Sequence, residues 1–269
     1  MEGLKIAIGG KGGVGKTTVC AFLAQIFAQD GFDVLAIDAD PNTTLAMAFG
    51  IPSDQNPEPL INLKELIAER TGTQPHSIGS YFRLNPKVSD LPEKYWLEVN
   101  KIKLLVLGAI THGGSGCACP EGAFLKAMLR HIILQRKELA LIDLAAGVEF
   151  LGRASILSTD MLILVVEPGG RSIETANNMG KMAKELGIKH VTAIANKITK
   201  QTQVDLIRDQ LKNIKLLGHL DFSEQLIEAD IMRKDVFSSD QRVLTQLKEV
   251  KVNLENILNK TSLEQESVK

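Results

Sequence analysis

Short apolar runs recur along the chain, each followed by a longer stretch in which apolar residues return at three- and four-residue spacing. The runs lie at 4–9 (LKIAIG), 33–38 (DVLAID), 103–108 (KLLVLG), 139–143 (LALID), 161–166 (MLILVV) and 190–195 (HVTAIA). A strand without polar alternation has no face for water, so these runs predict buried strands of a parallel sheet. The stretches 16–30, 121–136, 172–186 and 203–212 predict the helices that cover it. In one of them Phe124, Leu125, Met128, Leu129, Ile132 and Ile133 form a continuous stripe, expected to be core. Strand and helix in alternation is the mark of βαβ units. The expected fold class is therefore α/β: a mostly parallel central sheet with helices on both faces.

Residues 51–102 break the rhythm. Prolines at 52, 57, 59, 75, 86 and 92 interrupt them, and they hold both tyrosines and the single tryptophan. An insertion with one helix near 62–70 is expected there. Residues 241–259 predict a terminal amphipathic helix, and 261–269 (TSLEQESVK) a frayed polar tail. The predicted organisation is one domain over 1–260 followed by that tail.

Composition narrows the partners. With 269 residues, 44% of them hydrophobic, the chain can bury one large core. Its 31 Lys and Arg against 32 Asp and Glu give a net charge of -1, so neither nucleic acid nor membrane is expected as a partner. No apolar stretch approaches a membrane span, and MEGLKIAIGG lacks the features of a signal peptide. Three cysteines make no disulfide framework at this length, and a cytoplasmic location is expected.

Gly10-Lys11-Gly12-Gly13-Val14-Gly15-Lys16-Thr17 satisfies GxxxxGK[ST] between a predicted strand and a predicted helix, the context the motif needs. Around Gly12, Gly13, Val14 and Gly15 the backbone can turn its N–H groups inward at phosphate oxygens, with the helix N-terminus adding its dipole. Lys16 is placed to reach the β and γ phosphates of ATP or ADP, Thr17 to offer its hydroxyl to Mg²⁺, and Thr18 to contact the α phosphate. Asp38 and Asp40 fall at the end of the second apolar run, and Asp143 closes LALID at the position of a Walker B aspartate, which holds Mg²⁺ through water. A helix cap is the alternative role for an acid at such a strand end.

A second chemistry lies at 112–121, HGGSGCACPE. Pro120 suits a first helical position, which puts Cys119 at the N-cap, where a helix dipole favours thiolate. In extended chain, residues two apart point the same way at roughly 6–7 Å between Cα atoms, so Cys117 and Cys119 can face one ion. One such pair supplies two ligands. A two-fold dimer would bring four thiolates together, suited to tetrahedral Zn²⁺ or square-planar Ni²⁺. Cys20, inside the first helix, is expected to be core.

Lys11 is not required by the general loop pattern, and KGGVGKTT resembles the deviant Walker A of the MinD, ParA and nitrogenase iron protein superfamily. The resemblance implies that Lys11 crosses a homodimer interface to the partner's nucleotide, that Asp38 lies near Mg²⁺, that Asp40 orients the attacking water, and that Asn196-Lys197 reads the purine. With GCACPEG at 116–122, Asp143-Leu144-Ala145-Ala146-Gly147, Leu151-Gly152-Arg153 and VVEP at 165–168, the chain is similar, from about residue 4 to 235, to the CooC-type ATPases. That family implies an ATPase inserting nickel into carbon monoxide dehydrogenase as client. Ala145 and Phe150 depart from its pattern, standing where an acid and an imidazole are usual. Two alternatives share the nucleotide site: a MinD- or ParA-like positioning or partitioning switch, and a maturation factor for another nickel enzyme such as acetyl-CoA synthase. An electron carrier like the iron protein would need cluster cysteines far apart in sequence, unlike CxC.

Overall fold

The computed structural model describes residues 3–73, 81–109, 119–131, 138–146 and 159–266, with side chains to 259. One eight-stranded sheet runs through them: β1 (Leu4–Gly10), β2 (Asp33–Ala39), β3 (Leu97–Val99), β4 (Ile102–Val106), β5 (Glu138–Leu144), β6 (Met161–Val166), β7 (His190–Ile198) and β8 (Lys215–Asp221). Its order is β3-β4-β2-β5-β1-β6-β7-β8. Every neighbouring pair is parallel except β3 and β4. The described helices are α1 (Lys16–Gln29), α2 (Leu45–Ala48), α3 (Lys64–Thr71), α4 (Leu91–Tyr95), α5 (Pro120–His131), α6 (Gly170–Glu185), α7 (Gln201–Gln210), α8 (Glu224–Ile231) and α9 (Gln241–Glu266).

The absence of alternation in the strand runs has a direct cause: both faces of the sheet are covered. Ile6 and Ile8 of β1, Leu139 and Leu141 of β5, and Met161, Ile163 and Val165 of β6 pack with Phe22 and Phe27 of α1 and Leu247 and Leu254 of α9. The intervening Ala7, Ala140, Ile142, Leu162 and Leu164 face the other way, onto Phe124 and Met128 of α5, Met179 of α6 and Ile207 of α7. Apolar burial at about 25 cal/mol per Å² on both faces makes the sheet centre the most strongly held part of the fold. The stripe on α5 is core as expected over Phe124, Leu125, Met128 and Leu129, while Ile132 and Ile133 lie outside the described residues.

Four differences from the sequence-based expectation have physical reasons. β7 runs three residues past its expected end, carrying Asn196 and Lys197 within the strand. β8 was not expected because Gly218 interrupts its run; a Cβ there would lie 2.8 Å from Val250 Cγ2, so the glycine lets α9 approach the sheet closely. β3 has three residues and is too short to show a period. Finally, α9 extends to Glu266, so 261–266 is helical where a frayed tail was expected.

Within 51–102, α3 lies as predicted near 62–70, joined by α4 and β3. The segment is pinned to the body by Leu60, Ile61, Val88 and Leu91, all buried against the α5 face. Arg70 Nη1 and Nη2 donate to the two Asp90 oxygens at 2.9 and 2.8 Å. That bidentate pairing, with Lys94 beside it, holds the Asp90 carboxyl well below the usual carboxylate range.

Candidate nucleotide and metal sites

β1, β2, β5, β6 and β7 are parallel, so their carboxyl ends share one edge of the sheet, where ligands of open α/β folds bind. The loop leaving β1 requires its glycines. Gly10, Gly13 and Gly15 have φ of 146°, 78° and 95°, which L side chains rarely adopt. At Gly10 a Cβ would also lie 2.5 Å from the Val165 carbonyl oxygen, and at Gly15 it would meet the Asn196 amide. Gly15 is the N-cap of α1 and offers no side-chain acceptor, so no side chain caps the first turn at Lys16, Thr17 and Thr18. Lys16 is buried at 7% exposure, its Nζ donating across the loop to the Lys11 carbonyl at 3.5 Å.

Behind the loop lie two buried acids. Asp38 and Asp143 are register partners on β2 and β5, 0% and 1% exposed. Asp143 Oδ2 accepts from the Thr17 hydroxyl at 2.6 Å, while its Oδ1 is buried without a hydrogen-bond partner. Burial pushes the Asp143 carboxyl up to about 8 despite Thr17, and the nearby Asp38 adds to the rise. Asp38 is pushed up to about 6 by the same cause, opposed by the Asp40 and Leu45 N–H groups that donate to its two oxygens at 3.1 and 2.9 Å. An orphaned carboxylate oxygen beside a threonine hydroxyl fits a divalent cation, and Mg²⁺ needs only one or two protein oxygens because it keeps water and substrate oxygens. Asp40 is half-buried, its Oδ1 accepting from the Asn42 N–H at 2.9 Å.

The remaining expected residues are placed unevenly. Asn196 Nδ2 donates to the Val14 carbonyl at 2.8 Å and Lys197 Nζ to the Gly13 carbonyl at 2.6 Å, so this pair holds the loop's backbone directly. Lys11 lies at the loop's rim, its Nζ 3.2 Å from Glu167 Oε1; Glu167 Oε2 is 3.6 Å from Lys197 Nζ. Glu167 was missed as a functional residue. VVEP at 165–168 marks its place at the end of β6, but an acid after a strand does not reveal which cations it meets.

Cys119 is the N-cap of α5, as Pro120 predicts: the Ala123 N–H donates to its carbonyl at 3.0 Å and the Gly122 N–H to its Sγ at 3.2 Å. The expected lowering of its thiol pKa is not found. Burial pushes it up and the Glu121 charge adds to that, together outweighing the backbone N–H groups. Cys117 and Phe150 lie outside the described residues. Ala145 packs against the α5-side core, and Cys20 is fully buried, as expected of a core thiol. No described helix is long and apolar enough to cross a membrane.

A glycine cradle at the end of a central parallel strand, backed by buried acids on neighbouring strands, is what a P-loop ATPase is built around. The chain belongs to the CbiA family, the CobQ/CobB/MinD/ParA nucleotide binding domain, which matches residues 5–236. It is 43% identical over 229 residues to the carbon monoxide dehydrogenase accessory protein CooC of Rhodospirillum rubrum, covering 84% of this chain and 87% of that one. An uncharacterized ATP-binding protein of Methanocaldococcus jannaschii is 41% identical over 236 residues, 87% of this chain and 91% of that one. In fold it is similar to the septum site-determining protein MinD of Pyrococcus horikoshii complexed with Mg-ADP, at TM-score 0.69 and 17% identity over 95% and 97% of the chains. MinD of Aquifex aeolicus gives 0.66 and 20% over 94% and 97%.

Proposed function

We propose that the chain is a nucleotide-dependent dimeric metallochaperone ATPase that binds nickel through Cys117 and Cys119 and delivers it to carbon monoxide dehydrogenase. The observation that carries this reading is the joint presence, on one family fold, of a phosphate loop with the extra Lys11 and a CxC pair whose Cys119 starts a helix packed on the sheet. Similarity to CooC over 84% of the chain supports the client.

In this reading the loop N–H groups and Lys16 hold the β and γ phosphates, Thr18 meets the α phosphate, and Asn196 and Lys197 turn the end of β7 toward the purine while bracing the loop. Thr17 and Asp143 would hold Mg²⁺ with Asp38 beside them; the ion supplies charge neutralisation on the phosphate oxygens. Asp40 accepts a hydrogen bond from the attacking water and orients it toward the γ phosphorus. Water adds as the bond to the ADP oxygen breaks, giving ADP and inorganic phosphate. Lys11 from the second chain stabilises the charge on the transferring group.

Nickel is the cargo. Two chains related by a two-fold axis would present four thiolates, and hydrolysis would reopen the interface and release the ion. The Asp38 carbonyl accepts the Leu107 and Gly108 N–H groups at 2.9 and 3.2 Å, and in this reading that contact would couple the two sites, since Cys117 and Cys119 follow Gly108 in the sequence.

The test replaces Cys117 and Cys119 together with serine. Nickel retained by the nucleotide-loaded protein in equilibrium dialysis is expected to fall to background with ATP affinity unchanged. Undiminished nickel stoichiometry and affinity would rule out the cysteine site.

A further inference from the structure

Glu167 sits just after β6 and is held from two sides. Its backbone N–H donates to Ser172 Oγ at 3.1 Å, and Ser172 is buried at the start of α6. Its carboxylate, 25% exposed, meets two ammonium groups: Lys11 at 3.2 Å on Oε1 and Lys197 at 3.6 Å on Oε2. Lys197 in turn reaches the Gly13 carbonyl, from a backbone at φ 59°. Positive φ at a non-glycine residue is uncommon and persists where its surroundings fix it. Here Lys197 N–H donates to Asn196 Oδ1 at 2.8 Å, and Asn196 grips Val14. The result is a collar around residues 11–14 in which one carboxylate bridges two cations.

This arrangement answers a problem that a lysine acting in trans poses. Lys11 lies in its own chain's phosphate loop, on a flexible stem, beside a cradle built to attract anions. Without a competing anion nothing would hold its ammonium back from the first phosphate to approach, in its own chain or in another. Glu167 follows β6 and is no part of the loop, and at 3.2 Å it gives the ammonium an anion other than phosphate to hold. Shared with Lys197, it leaves the cluster with a net charge of +1, so Lys11 keeps its attraction for a phosphate arriving on a second chain. Lys11 is 40% exposed, and an ion pair so open to solvent is weak enough to exchange for a polyphosphate.

From this geometry we infer that Glu167 is a positioning residue for Lys11: in the single chain it parks the ammonium off the chain's own nucleotide site, and it releases Lys11 when two nucleotide-loaded chains meet. The inference rests on the reading that Lys11 acts in trans. The cost of release falls twice per dimer, once in each chain.

The experiment measures the monomer–dimer constant by sedimentation with Mg²⁺ and a non-hydrolysable ATP analogue, for wild type, Glu167→Gln, Lys11→Ala and the double variant. Glu167→Gln keeps the shape of the side chain and removes its charge. Because an exposed pair contributes about 1.5- to 5-fold per chain, the variant is expected to dimerise about 2- to 30-fold more tightly than wild type. The gap is expected to narrow as sodium chloride rises from about 50 to 500 mM, as screening weakens the pair in wild type. In the Lys11→Ala background Glu167→Gln is expected to change nothing. Dimerisation of Glu167→Gln equal to wild type, or an equal gain with Lys11 absent, overturns the assignment of Glu167. Dimerisation and turnover of Lys11→Ala equal to wild type instead overturns the trans role beneath it.

Discussion

Replacing Lys11 with alanine is expected to lower steady-state ATP hydrolysis by about 10³-fold, the lower end of what a cation delivered in trans contributes to phosphoryl transfer. ATP affinity of the single chain is expected to stay within a few-fold of wild type, because the contacts assigned to phosphate belong to the loop backbone, Lys16 and Thr18. That separation is the diagnostic result. Lys16 is buried in the cradle, whereas Lys11 stands at its rim on Glu167. A loop lysine serving its own nucleotide would show the opposite pattern, with binding and turnover falling together. Single-turnover hydrolysis measured over a range of protein concentration checks it: the wild-type rate should rise with concentration as dimers form, and the variant's should stay flat. Normal turnover by the variant would remove Lys11 from the chemistry.

The second large effect concerns Asp143. Replacement by asparagine is expected to cut hydrolysis by about 10- to 100-fold, the usual penalty for removing a group that holds a metal's water shell. The same variant is expected to change how stability depends on pH. In the protein free of nucleotide and divalent ion, burial raises the Asp143 carboxyl to about 8, and an unfolded chain has no such burial. The folded state therefore binds the proton more tightly. Its stabilising contribution is complete below about pH 4, the ordinary range of an exposed aspartate, and is lost as pH rises through 8. Wild type is expected to lose roughly 3–8 °C in melting temperature between pH 6 and pH 8 beyond what Asp143→Asn loses. Mg²⁺ with nucleotide favours the ionised carboxylate and should release protons on binding, shrinking that difference. Calorimetric melts of both proteins at pH 6, 7 and 8 measure it; parallel curves would contradict a buried Asp143 that takes up a proton.

Much of this was legible in the amino-acid sequence because the physics is local. Apolar runs with no alternation need a sheet covered on both sides, and Ile6, Ala7 and Ile8 show the two faces being filled in turn. The loop was legible because positive φ at Gly13 and Gly15, and the close approach of Gly10 to Val165, leave few other residues possible. What escaped depends on distance along the chain. Glu167 meets Lys11 from 156 residues away, and no spacing rule connects a strand-end acid to a particular lysine. β8 escaped because its defining contact, Gly218 under Val250, is made by a helix that follows much later. The thiol of Cys119 shows the limit of a local rule from the other side. Pro120 correctly placed it at the N-cap, but its pKa is set by burial and by Glu121, which the motif alone does not weigh. Asn196-Lys197 was legible as a pair at a strand end, while its grip on Val14 and Gly13 became visible only when β7 and the loop were brought together.

In the proposed function, nucleotide and metal are bound by one two-chain device. Native mass spectrometry of the wild-type protein, with Ni²⁺ and a non-hydrolysable ATP analogue present, checks this. The expected species is a dimer carrying two nucleotides and one nickel ion, with the ion absent from the monomer. One nickel ion on each monomer, or a nucleotide-loaded dimer that takes up none, would contradict it.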